Sequence, residues 1–189
     1  VGIIITGTLN ASRLTNFSET SNSELVVGQT LHLGPFGTVN PYFTPVKIRS
    51  IHDNFKNLVN TVISGDNFCV SIKFLKEQFE KKQLRKGLIL TSNANIISNI
   101  SMKFRAKIKI LNYKTTITDG YAPVIHCRTI RQSAKIITIF NNESTLRGGD
   151  ETEVIFEFQF YPEYIEINAP IFFRDGTTKG VGEILEIIK

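Results

Sequence analysis

Across residues 102–110 apolar and basic side chains alternate without interruption. Met102, Phe104, Ala106, Ile108 and Ile110 fall on one side of an extended backbone, and Lys103, Arg105, Lys107 and Lys109 fall on the other. A β-strand with one buried and one solvated face fits that pattern, and antiparallel neighbours must cover its apolar side. Elsewhere the apolar runs are short, rich in Ile, Val and Phe, and punctuated by Gly, Asn, Asp and Pro, as in a chain of many short antiparallel strands. Strands are expected at residues 2–9, 30–33, 46–51, 68–72, 88–91, 102–111, 123–128, 134–140, 153–160, 170–174 and 182–188. That number suits an all-β chain of two consecutive small antiparallel β-barrels.

A chain of 189 residues with 41% hydrophobic and 21% charged residues can bury a core in each of two small domains. The stretch 92–100, poor in charge and rich in Asn and Ser, separates the strand-rich halves, so the domains are expected at 1–94 and 95–189. One helix is expected at 74–84, where Lys, Glu and Gln dominate and Leu75 and Phe79 share a face before Gly87. The polar stretch 10–24 is too long for a tight turn and reads as a projecting loop.

Several chemistries are disfavoured. No G-x-x-x-x-G-K-[ST] loop is present to cradle phosphates, and the glycine-rich stretches 146–150 and 175–182 read as hairpin turns. His52 and Asp53 are the only adjacent His and acid, and on a strand they point to opposite faces. His32, His52 and His126 lack partners at metal-ligand spacing, and Cys69 and Cys127 read as free buried thiols. No catalytic residue and no metal ligand is therefore expected. No run approaches the roughly 20 apolar residues of a membrane span, so a cytoplasmic protein without a membrane partner is expected.

A formal charge of +5 favours a polyanionic partner. Same-face neighbours on a strand stand about 6.6 Å apart, close to the phosphate spacing of a nucleic-acid strand. Lys103, Arg105, Lys107 and Lys109 therefore form a possible basic patch, and Arg128, Arg131, Lys135 and Arg147 are candidates to extend it. The same row also reads as the polar outer face of an antiparallel strand, where lysine discourages edge pairing.

Gly2-Ile3-Ile4-Ile5-Thr6-Gly7, Leu25-Val26-Val27-Gly28-Gln29-Thr30-Leu31, Ser64-Gly65-Asp66-Asn67 and Leu84-Arg85-Lys86-Gly87-Leu88-Ile89-Leu90 occur in the order of the second domain of elongation factor Tu, which this half resembles. Gly120-Tyr121-Ala122-Pro123, Leu146-Arg147-Gly148-Gly149-Asp150 and the segment from Phe173-Arg174-Asp175-Gly176 to Gly182 resemble the third domain. The string from Val124-Ile125-His126-Cys127 to Ser133-Ala134, with Tyr161-Pro162-Glu163-Tyr164, is most similar to the "GTP-binding protein one" branch of these translational GTPases.

The resemblance implies a non-catalytic module that binds tRNA and the ribosome, as domains II and III of a protein whose GTPase domain, with its GTP and Mg, lies outside this chain. It implies contacts to the aminoacylated CCA end at Ile4, Thr6, His52 and Asn67. Contacts to the tRNA backbone are implied at Gly120, Tyr121, Ser133, Arg174, Asp175 and Gly176. Two positions depart from the elongation factor Tu pattern: Ser50 replaces an acid, and Tyr161 replaces a lysine. The rival reading is a protein-interaction module that docks an exchange factor or an mRNA-decay complex. Because the chain starts within what the family treats as an early strand, a fragment is expected, with an edge open to pairing with a second copy.

Overall fold

Eighteen strands carry nearly all the regular structure of residues 3–9, 24–75, 81–92, 96–112, 116–141 and 143–189, which are those that the computed structural model describes. In the first part of the chain these are β1 (Ile3–Thr8), β2 (Glu24–Val26), β3 (Thr30–Phe36), β4 (Tyr42–His52), β5 (Leu58–Val59), β6 (Thr61–Ile63), β7 (Asn67–Phe74) and β8 (Ile89–Thr91). They form a six-stranded sheet in the order β1-β7-β4-β3-β8 with β5 beside β4, and β2 pairs with β6. The second part contains β9 (Ile100–Ser101), β10 (Lys103–Asn112), β11 (Ile117–Thr118), β12 (Val124–Cys127), β13 (Ile130–Ile139), β14 (Thr145–Leu146), β15 (Glu151–Phe158), β16 (Glu163–Tyr164), β17 (Pro170–Asp175) and β18 (Thr178–Ile188). Strands β10-β15-β13-β12-β17-β18 close into a barrel.

The chain divides into two compact units. One comprises Val1–Leu33, Thr44–Phe79 and Leu90–Asn93, and the other Gly34–Phe43, Glu80–Ile89 and Ala94–Lys189. The barrel core follows from the alternation at its first strand: Phe104, Ala106, Ile108 and Ile110 are sealed from solvent, and Met102 packs against them. Phe104 packs on Phe156 and Phe158 at ring-centroid distances of 5.4 and 5.2 Å, and Phe156 lies 6.0 Å from Phe173. Phe173 fills the space that a side chain at Gly180 would occupy, so that glycine in β18 is required by packing.

All eleven predicted strands have counterparts, and of the predicted helix at 74–84 the described residues on either side of 76–80 form no α-helix. Phe74 ends β7 in register with Val46, and residues 81–83 make a single 3-10 turn. Residues 76–80, including Phe79, lie outside the described residues, as do residues 10–23 of the predicted loop. Backbone pairing to β4 overrides the helix propensity at Phe74. The two glycine-rich turns are as expected: Asp150 closes one by accepting from the Arg147 amide at 2.7 Å, and Gly176 takes a φ of 54° in the β17–β18 hairpin.

Candidate nucleic-acid interface

In the first unit the decisive local feature is a bulge in β4. Ile48 faces Ile72 on β7, whereas Ser50 already faces Ser71, so one extra residue is accommodated at this point. The bulge reverses the side-chain phase. Val46 and Ile48 are buried before it and Ile51 after it, which turns Ser50 and His52 outward. Unbroken alternation from Ile48 would have sent His52 into the core.

The register of β1, β7 and β4 then assembles one face. Thr6 pairs with Cys69, which pairs with His52, which pairs with Leu58 on β5; Ile4 pairs with Ser71, and Ser71 with Ser50. Asn67 stands opposite Thr8 and accepts a hydrogen bond from its hydroxyl. Cross-strand partners project to the same side, so Ile4, Thr6, His52 and Asn67 all share this surface. Ile4 and Leu58 are 69% and 70% exposed, so the face carries apolar as well as hydroxyl, amide and imidazole groups. Just beyond His52, Asp53 accepts from the amides of Phe55 at 2.8 Å and Asn57 at 2.9 Å, and the Asn57 bond holds its carboxyl below the ordinary value. Asp53 thus organises the turn that follows β4.

In the second unit the six residues expected on tRNA backbone come to one end of the barrel. Gly120, with a φ of 91°, donates to the Ile136 carbonyl at 2.8 Å, and the Ile136 amide donates to the Tyr121 carbonyl. The Ser133 hydroxyl donates to the Ala122 carbonyl at 3.0 Å. Val124 is in register with both Ser133 and Arg174, which carries the Arg174-Asp175-Gly176 hairpin to the same end as Gly120 and Tyr121. Arg174 is exposed and stands beside Lys179.

The row on β10 has a different character. Its four cations do project outward, but they meet carboxylates on both neighbouring strands. Lys103 lies 3.4 Å from Glu157, Arg105 lies 3.4 Å from Glu153 and 2.9 Å from Glu186, and Lys107 lies 2.8 Å from Glu151. Lys109 is in register with Glu151, and Lys107 with Glu183. The hydrogen bond between Lys107 and Glu151 raises the lysine pKa and lowers that of the glutamate. This surface is a ladder of mixed charge, not a bare cationic stripe. Its signal was present in the sequence, because Glu151, Glu153 and Glu157 share one face of an alternating strand.

Of the other cations, Arg128 pairs with Glu166 at 2.6 Å, whereas Arg131 and Lys135 are exposed on β13. Cys127 is buried, which pushes its thiol up to about 11, and Cys69 is half-buried on the outer face of β7. Among the described residues no cluster of three His, Cys, Asp or Glu could hold a metal ion.

Residues 98–188 match the family described as "Elongation factor Tu C-terminal domain". Over all 189 residues the chain is 32% identical to GTP-binding protein 1 of Xenopus laevis, covering 26% of that protein. It is 28% identical to GTP-binding protein 2 of Mus musculus over 85% of this chain and 25% of that one. It is also 25% identical to the eukaryotic peptide chain release factor GTP-binding subunit of Zygosaccharomyces rouxii, over 79% of this chain and 24% of the relative. The chain thus spans about a quarter of the length of the curated relatives it matches. A crystal structure of sup35 complexed with GDP superposes on all of it with a TM-score of 0.76 at 19% identity, over 45% of that chain, and shares its fold. Residues 98–188 of the chain thus belong to the elongation factor Tu C-terminal domain family, and over its whole length the chain is similar to GTP-binding protein 1.

Proposed function

We propose that these barrels are the non-catalytic tRNA- and ribosome-facing module of an elongation factor Tu-like protein, whose full length hydrolyses GTP with Mg in a domain outside this chain. The observation that carries this reading is the convergence of Ile4, Thr6, His52 and Asn67 on one open sheet face. None of them is adjacent in sequence to another, and the β4 bulge is needed to bring His52 to the same side. An apolar side chain can flank a base, while hydroxyl, imidazole and amide groups can hydrogen-bond a ribose or an aminoacyl ester. The end of the second barrel supplies the complementary function: Arg174 offers charge to a phosphate backbone, and Gly176 permits close approach of the hairpin.

Equilibrium binding of the chain to aminoacylated and deacylated tRNA over a salt series tests the reading. Affinity falls steeply with salt, the aminoacylated form binds more tightly, and a His52→Ala, Asn67→Ala double variant loses that preference. Absence of binding at low salt, or a preference untouched by the double variant, overturns it. Capture of a protein exchange factor or decay complex without RNA binding would instead establish the interaction-module reading.

A further inference from the structure

We infer that Arg131 and His126 extend the RNA-binding face of the second barrel beyond the Arg174 hairpin, with Arg131 and Arg174 gripping phosphates on either side of a histidine whose protonation follows RNA binding. This rests on the proposed tRNA-module function and adds residues and a pH dependence to it.

The geometry is set by the register. Arg131 on β13 faces His126 on β12, and His126 faces Phe172 on β17. One row above, Ser133 faces Val124 and Val124 faces Arg174, with Lys179 next in line. Arg131 and Arg174 thus stand on the two strands flanking β12, with Cα atoms about 12 Å apart by ordinary strand spacing and rise. That span matches about two phosphate steps of a nucleic-acid strand. Arg131 and Arg174 are exposed, and among the described residues neither makes an ion pair. The nearby Arg128 already pairs with Glu166, and Asp175 at the hairpin tip makes no ion pair among the described residues.

His126 lies on β12, between the strands that carry Arg131 and Arg174, with its ring centroid 6.1 Å from that of Phe172. Its Nε2 is buried and has no hydrogen-bond partner among the described residues. From β13 it meets the charge of Arg131 and from β17 that of Arg174, while on its own strand burial acts on it; these lower its pKa, burial first. The free surface therefore holds His126 neutral at neutral pH. A phosphate backbone lying across the two arginines offsets their charge and favours the imidazolium. By linkage, RNA then binds more tightly as pH falls through the imidazole range, the reverse of the proton release expected if RNA merely buried the ring.

The test combines a salt series with nuclear magnetic resonance of the His126 ring, using bulk tRNA as probe. In the 189-residue chain, Arg131→Gln and Arg174→Gln each lower the salt slope by about one and weaken binding by roughly tenfold. Saturating tRNA moves the His126 midpoint upward by about one pH unit, and His126→Gln abolishes the tightening at acid pH. A slope that depends on Arg174 but not on Arg131, or a His126 midpoint that stays or falls on binding, overturns this inference alone. Failure of every form to bind tRNA overturns the proposed function with it.

Discussion

On the barrel face made by β10 with β15 and β18, Lys103, Arg105 and Lys107 are paired with Glu157, Glu153, Glu186 and Glu151. On the face made by β12, β13 and β17, Arg131 and Arg174 flank His126, and neither is paired among the described residues. Sequence alone ranks these two the other way round, since β10 carries the densest run of cations in the chain. What separates them is what lies across the strand. A cation paired in the free protein gains little by exchanging a carboxylate for a phosphate, whereas an unpaired one contributes its full counterion release. Lys135 falls between these cases, because it is exposed but in register with Glu157.

The largest effect expected in this barrel comes from a pair that belongs to neither face. Glu163 is 1% exposed and accepts from Arg85 at 2.8 Å and from Gln132 at 2.6 Å. Arg85 also donates to the carbonyls of Pro35 and Pro162 and lies 4.6 Å from the centre of the Tyr161 ring. Glu163→Ala leaves the guanidinium without its carboxylate and is expected to cost about 3 kcal/mol in denaturant unfolding, while Glu163→Gln costs about 1 kcal/mol. Burial outweighs Arg85 and Gln132 and raises the Glu163 pKa. The folded state therefore holds that proton more tightly than the unfolded chain. The resulting stability is full below the ordinary carboxyl value and is lost as pH rises through the folded one. The wild type's advantage over Glu163→Gln is accordingly greatest in acid and shrinks toward neutral pH. A loss no larger than that of the exposed pairs would remove the distinction between buried and ladder carboxylates.

Next in size is Arg174→Glu, which removes the proposed phosphate contact and adds repulsion. It should weaken tRNA binding by roughly 30-fold or more at moderate salt, with an unchanged melting temperature. Equal loss from Arg105→Glu would show that the two faces are not different in kind.

These contrasts mark where the sequence was informative. The period-two pattern of residues 102–110 carried enough information to place β10, its buried side and the all-β architecture, because each alternate residue votes for the same face. Two-residue strands such as β5, β9 and β16 have no period to read and are held by long-range pairing. The β4 bulge was equally silent: the extra residue shows only in the buried pair Ile48 and Ile51, three apart where two or four is the rule. Thr6 and Asn67 emerged from resemblance, but their shared face with His52 depends on that bulge. Arg131 was visible as a cation and His126 as an isolated histidine. Their meeting requires the β12–β13 register, which no local pattern encodes.

Neutralising the ladder's acids offers a sharper version of the comparison. A Glu153→Gln, Glu157→Gln, Glu186→Gln variant leaves Lys103 and Arg105 without their partners. If pairing is what silences this face, tRNA binding should strengthen by about three- to tenfold with a steeper salt slope. An unchanged slope would mean that the β10 face cannot approach RNA at all, whatever its charge.

The smallest effect is expected for Arg105→Glu itself. Arg105 bridges Glu153 and Glu186, yet its side chain is 38% exposed and those of its partners are 41% and 54% exposed. Exposed pairs of this kind are screened and cost side-chain entropy to hold, so the stability loss should be about 1 kcal/mol or less, and tRNA affinity should change by less than about twofold. Raising the salt concentration should shrink the stability difference further, since screening weakens repulsion in the variant as well as attraction in the wild type. A loss of several kcal/mol that persists in high salt would show that the ladder is a structural element of the barrel in its own right. The distinction between the two faces would then rest on packing as much as on charge.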